Sequence, residues 1–116
     1  MIEKLVLDYL ESKLDVPVVM EDIKEKEYVL IAKTGSGKEE HLNSATITIQ
    51  SHSESLLKAA ELNELVKTSM LGDEDNIYGI AEGDVITKCT LNSDYEYTDT
   101  TTKKYRYQAV FDLTFY

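Results

Sequence analysis

The sequence predicts an α+β domain, a mostly antiparallel five-stranded sheet with two helices packed on one face, in the order α-β-β-β-α-β-β. Three observations carry that expectation. Two stretches, residues 2–14 and about 53–71, place apolar side chains at helical spacing. Five shorter segments are rich in β-branched and aromatic residues, the clearest of them alternating apolar with polar. The connections are polar, and a chain of 116 residues builds one core and one domain.

The first helix sets Ile2, Leu5, Val6, Tyr9, Leu10 and Leu14 on one face, with Glu3, Lys4, Asp8, Glu11 and Lys13 between them. Pro17, the only proline, ends this region and pushes the residue before it toward extended geometry. Val18, Val19 and Met20 make a short strand, and residues 22–27 are charged and turn-like. Residues 28–33, Tyr-Val-Leu-Ile-Ala-Lys, are apolar enough for a largely buried strand, followed by a flexible polar loop over residues 34–40. Residues 45–50 alternate strictly, turning Ala45, Ile47 and Ile49 inward and Thr46, Thr48 and Gln50 toward water.

The second helix is expected from near Ser53 to Leu71, with Gly72 as its stop and a stripe of Leu56, Ala59, Ala60, Leu62, Val66 and Met70. Leu57 and Leu65 fall off that stripe. They are either partly covered core residues or a second contact surface. Beyond the linker, Val85, Thr87, Cys89 and Leu91 alternate with Ile86, Lys88, Thr90 and Asn92. An 11-residue polar loop from Ser93 to Lys103 follows, of a length that is often functional. Tyr105, Tyr107, Ala109, Phe111, Leu113 and Phe115 then alternate with Arg106, Gln108, Val110, Asp112 and Thr114 in a strand that pairs antiparallel with the one before. The sheet face bearing Thr46, Thr48, Gln50, Arg106 and Gln108 is expected to stay polar.

Composition narrows the function classes. The formal net charge of -10 disfavours non-specific binding to nucleic acid or to an anionic membrane. The five acids Asp73, Glu74, Asp75, Glu82 and Asp84 read as a solvated acidic loop. A single cysteine allows no intrachain disulfide, and neither a signal peptide nor an apolar run near the roughly 20 residues of a bilayer span is present, so a cytoplasmic protein without membrane contact is expected.

The motifs carry little chemistry. Gly35-Ser36-Gly37-Lys38 echoes a phosphate-binding loop, but Ala32 stands where the Walker pattern needs its first glycine and Glu39 where it needs Ser or Thr. A hairpin connection explains it better. His41 and His52 have no metal-ligand spacing and are expected at surface or cap positions, while Cys89 is expected to be a small buried hydrophobe. The acidic trio Asp73-Glu74-Asp75 lacks the alternating ligands of a calcium loop. No catalytic residue, cofactor or metal ligand is therefore assigned, and the chain is read as a non-enzyme. Of the eight tyrosines, Tyr95 and Tyr97 sit among solvated residues with no packing reason to be there, which suits a protein interface.

The opening helix ending Tyr9-Leu10-Glu11, Val16-Pro17-Val18, Tyr28-Val29-Leu30-Ile31 running into Thr34-Gly35, residues 45–51, Ala59-Ala60-Glu61-Leu62-Asn63 and the closing residues 105–112 are together similar to small tail proteins of Gram-positive phages and prophages. These belong to the head-tail joining or tail terminator group, often labelled minor capsid proteins. The resemblance spans nearly the whole chain. It implies a virion protein, made in the host cytoplasm, that forms a ring, usually a hexamer, capping the tail tube and meeting the head-completion or connector protein, with DNA only passing through the channel. Ring closure needs two different complementary patches per subunit, and Leu57, Leu65, Tyr95 and Tyr97 are the candidates. The alternative is an acidic binding module, a host-protein inhibitor or DNA mimic.

Overall fold

The computed structural model describes residues 1–39, 42–75, 77–82, 85–96, 98 and 104–116, the side chain of Glu39 excepted. The elements run α1 (Ile2–Glu11), β1 (Val18–Val19), β2 (Tyr28–Glu39), β3 (Leu42–Ser53), α2 (Leu56–Leu71), a short 3-10 turn (Gly79–Glu82), β4 (Ile86–Glu96) and β5 (Tyr105–Phe115). The α+β class, the two helices and the five strands are as the sequence predicts.

The sheet is mixed, which corrects the mostly antiparallel expectation. Its spatial order is β1-β2-β3-β5-β4. β1 pairs parallel with β2 through Val18 with Val29 and Val19 with Leu30, and the Val29 amide donates to the Pro17 carbonyl at 2.9 Å. A two-residue strand carries no alternation from which its direction could be read. The other three pairings are antiparallel.

Alternation fixes which face is covered. Val29 and Ile31 of β2, Ala45, Ile47 and Ile49 of β3, and Ala109, Phe111 and Leu113 of β5 are buried in one cluster with Val6 and Leu10 of α1 and Leu62, Val66 and Met70 of α2. Each of the Val, Leu, Ile, Phe and Met side chains among them contributes roughly 1.5–3 kcal/mol by leaving water. The two helices are tied together by the Tyr9 hydroxyl, which donates to the Ser69 carbonyl at 2.6 Å. α1 ends three residues early, yet Lys13 and Leu14 still bond to the Leu10 carbonyl and Leu14 stays buried.

The strands are longer than the sequence suggests. The polar run from Thr34 to Glu39 is not a loop but the second half of β2, bulged at Thr34 and paired with β3, so the glycine-lysine motif lies in an extended hairpin arm. β3 reaches Ser53, and the second helix therefore starts at Leu56 with Ser55 as its cap, the Ser55 hydroxyl accepting from the Lys58 amide. Ser93 to Glu96, expected in the long loop, belong to β4.

β4 also breaks phase. Register shifts at Thr87 and Asn92 insert an extra residue twice. Ile86, at 2% exposure, is the core residue in place of Val85, at 43%. Gly79 is a position only glycine can hold: its φ is 56°, and an added Cβ would lie 2.3 Å from the Met70 carbonyl oxygen. That contact seats the 3-10 turn on the end of α2.

Candidate functional site

The interface candidates fall on two separate surfaces. Leu57 and Leu65 sit on α2, whose buried stripe is Ala59, Leu62, Asn63, Val66 and Met70, and they are 68% and 57% exposed. They are therefore outward-facing and not partly covered core residues. Leu56, expected in the stripe, is exposed as well, because it is the first residue of the helix. Leu65 borders a groove of about 400 Å³ that also has Leu14, Val16, Lys58, Glu61 and Leu62 in its walls.

Tyr95 is on β4 and faces the other way. It lies opposite Gln108, on the uncovered side of the sheet, and its hydroxyl accepts from Gln108 Nε2. It is therefore a strand residue and not a loop residue. Tyr97 lies outside the described residues, as does His41.

Sequence reasoning missed what Tyr95 is attached to. His52 is only 7% exposed and stacks on Tyr28, with ring centroids 4.4 Å apart and an interplanar angle of 6°. This corrects its expected surface or cap position. The two rings meet because Tyr28 and His52 are direct partners in the β2–β3 ladder. The Tyr28 hydroxyl donates to Asp22 Oδ1 at 3.1 Å. His52 Nε2 lies 3.0 Å from Gln50 Oε1, and Gln50 Nε2 donates to Gln108 Oε1 at 3.1 Å. Because the Gln50 amide nitrogen is used toward Gln108, its oxygen faces the ring, and His52 carries its proton on Nε2. The result is a one-directional polar ladder from His52 through Gln50 and Gln108 to Tyr95. Burial lowers the His52 pKa first, and the Arg106 charge lowers it further. Burial raises that of Tyr28, helped by its bond to Asp22.

A second polar cluster fastens β4 to α2. Asn63, 2% exposed, donates from Nδ2 to Asp94 Oδ1 at 2.8 Å, and Lys67 donates to Asp94 Oδ2 at 2.6 Å while also pairing with Glu64. Those bonds to Asp94 and Glu64 raise the Lys67 pKa. Asp94 reaches α2 only because of the bulge at Asn92, which turns it to the helix side. An alternating reading of the sequence cannot find it.

The remaining chemistry is muted. Cys89 packs against the core, and burial pushes its thiol up to about 12, so it stays protonated at neutral pH and is a poor nucleophile. The Asp73 carboxylate accepts from the Asp75 amide at 2.9 Å, and among the described residues no group of three His, Cys, Asp or Glu side chains is placed to hold a metal. A cleft of about 380 Å³ at one end of the sheet is lined by Lys24, Lys26, Tyr28, His52, Glu54 and Lys104, with Lys26 and Glu54 4.0 Å apart across it. Among the described residues no helix is long and apolar enough to cross a membrane. No family model matches this chain, and no curated protein matches it either.

Proposed function

We propose that the chain is a structural subunit of a phage head-tail interface, a tail terminator or head-tail joining protein that works by self-assembly into a ring and by contacts with the tail tube and the head-side connector. The observation that carries this reading is the separation of two outward surfaces. Leu57 and Leu65 project from the helix layer, and Tyr95 with its glutamine ladder lies on the opposite, polar face. Ring closure by head-to-tail contacts, and stacking of a ring between two different neighbours, both require unlike surfaces on one subunit. Large apolar side chains held in water on a helix contribute nothing to the monomer and gain only when covered. The resemblance across nearly the whole sequence points the same way. An acidic protein also suits a channel wall past which DNA slides.

The test is genetic. Deleting the coding sequence from its phage or prophage is expected to leave filled heads and separate tails of uneven length in negative-stain images. Complete virions of normal tail length from the deletion would remove the proposal.

A further inference from the structure

We infer that copies of this chain join by strand pairing, the outer edge of β4 in one copy adding antiparallel to the free part of β2 in the next. This deepens the self-assembly reading above and rests on it. Among the described residues β4 is the last strand of the sheet and is paired only with β5. At the other end, β1 covers β2 at Val29 and Leu30 alone, so residues 31–39 have an open side among the described residues. Each of these edges offers a row of backbone donors and acceptors that a further strand can take up.

Direction and height both match. Stepping across the antiparallel pairs from β2 to β3 to β5 to β4 reverses direction three times, so β4 runs opposite to β2. A neighbour related by rotation about an axis along the strands keeps every direction, and its β2 therefore meets β4 antiparallel. The ladder also fixes heights: Lys33 is level with Leu91, through Ile47 and Phe111, and Gly35 is level with Thr90, through Thr46 and Asp112. Ser36 is likewise level with Cys89, and Gly37 with Lys88. With the strands along the ring axis and no stagger between copies, these are the residues that face one another. None of the four pairs sets like charges opposite each other. The part of β2 that β1 blocks is level with Tyr95 and Glu96, which leaves residues 86–94 of β4 for the neighbour.

Cysteine cross-linking of the purified full chain reads this directly. In a Cys89→Ser background, Thr90→Cys and Gly35→Cys are combined and treated with a short bismaleimide at high protein concentration. Gly35 tolerates the change, since an added Cβ meets nothing nearer than 3.6 Å. The double variant is expected to give a ladder of covalent multimers and each single variant only monomer. Lys33→Cys with Leu91→Cys is a second, independent pair on the other side of the sheet, and a ladder from either pair supports the inference. Covalent dimers from Thr90→Cys alone would mean β4 pairs with β4, and no ladder from either pair would mean the edges do not meet. Both results overturn it. Strand pairing is read here without any phage, whereas the head-tail role is read in virions, so either can fail while the other stands.

Discussion

β3 and β4 have nearly the same length, twelve and eleven residues, and differ in almost everything else. β3 lies between two partners and keeps an unbroken register with β5 from Asn43 to Ser53. β4 has one partner, two bulges and mostly exposed side chains. Where both sides of a strand are satisfied, a slip would expose a buried row, and the period of two is enforced. At an edge that constraint is halved, bulges are tolerated, and one of them was put to use: it turns Asp94 toward Asn63 and Lys67 and fastens β4 to the helix layer. The centre of the sheet holds the fold together, and the edge is the part we propose pairs with further copies.

Substitutions can break that contrast or sharpen it. Ile49→Ala in β3 removes a fully buried side chain and is expected to cost about 2–5 kcal/mol, whereas Leu91→Ala in β4, a partly exposed site, should cost less than about 1 kcal/mol by urea denaturation. Equal losses would erase the distinction between centre and edge.

Asp94→Ala comes next in size. It leaves Asn63 Nδ2 buried without its acceptor and Lys67 with Glu64 alone, for an expected loss of about 1–3 kcal/mol. Hydrogen exchange should speed up selectively in β4. Uniform protection across the sheet would show that the cluster does not hold the edge.

The smallest effect is one of pH. The folded state lowers the His52 pKa below its ordinary value near 6.5, so the unfolded chain binds the proton more readily. His52 therefore contributes stability that is fully present above about pH 6.5 and is lost as pH falls through its lower folded value. His52→Gln should flatten the dependence of thermal midpoint on pH between that lower value and about pH 6.5. An unchanged slope would mean the stacked ring does not feel its burial.

The same contrast explains how much could be read in advance. The α+β class, both helices and the inward rows of β3 and β5 follow from periodicity, because those elements are packed on enough sides for period and burial to agree. The parallel pairing of β1 could not be read, since two residues give no pattern. The polar halves of β2 and β4 looked like loops because edge strands beside water need no apolar face. Leu57 and Leu65 were legible as surface candidates since helical spacing places them off the stripe. The Tyr28–His52 stack was not, because it depends on the register that sets β2 against β3.

Sedimentation velocity of the wild-type chain over rising concentration tests the central claim, that these surfaces exist to bind further copies. A shift from monomer toward one closed assembly of defined size is expected, lost when Leu91, whose amide faces the open side of β4, is replaced by proline while circular dichroism stays unchanged. A monomer at every concentration, or an assembly indifferent to the proline, would contradict it.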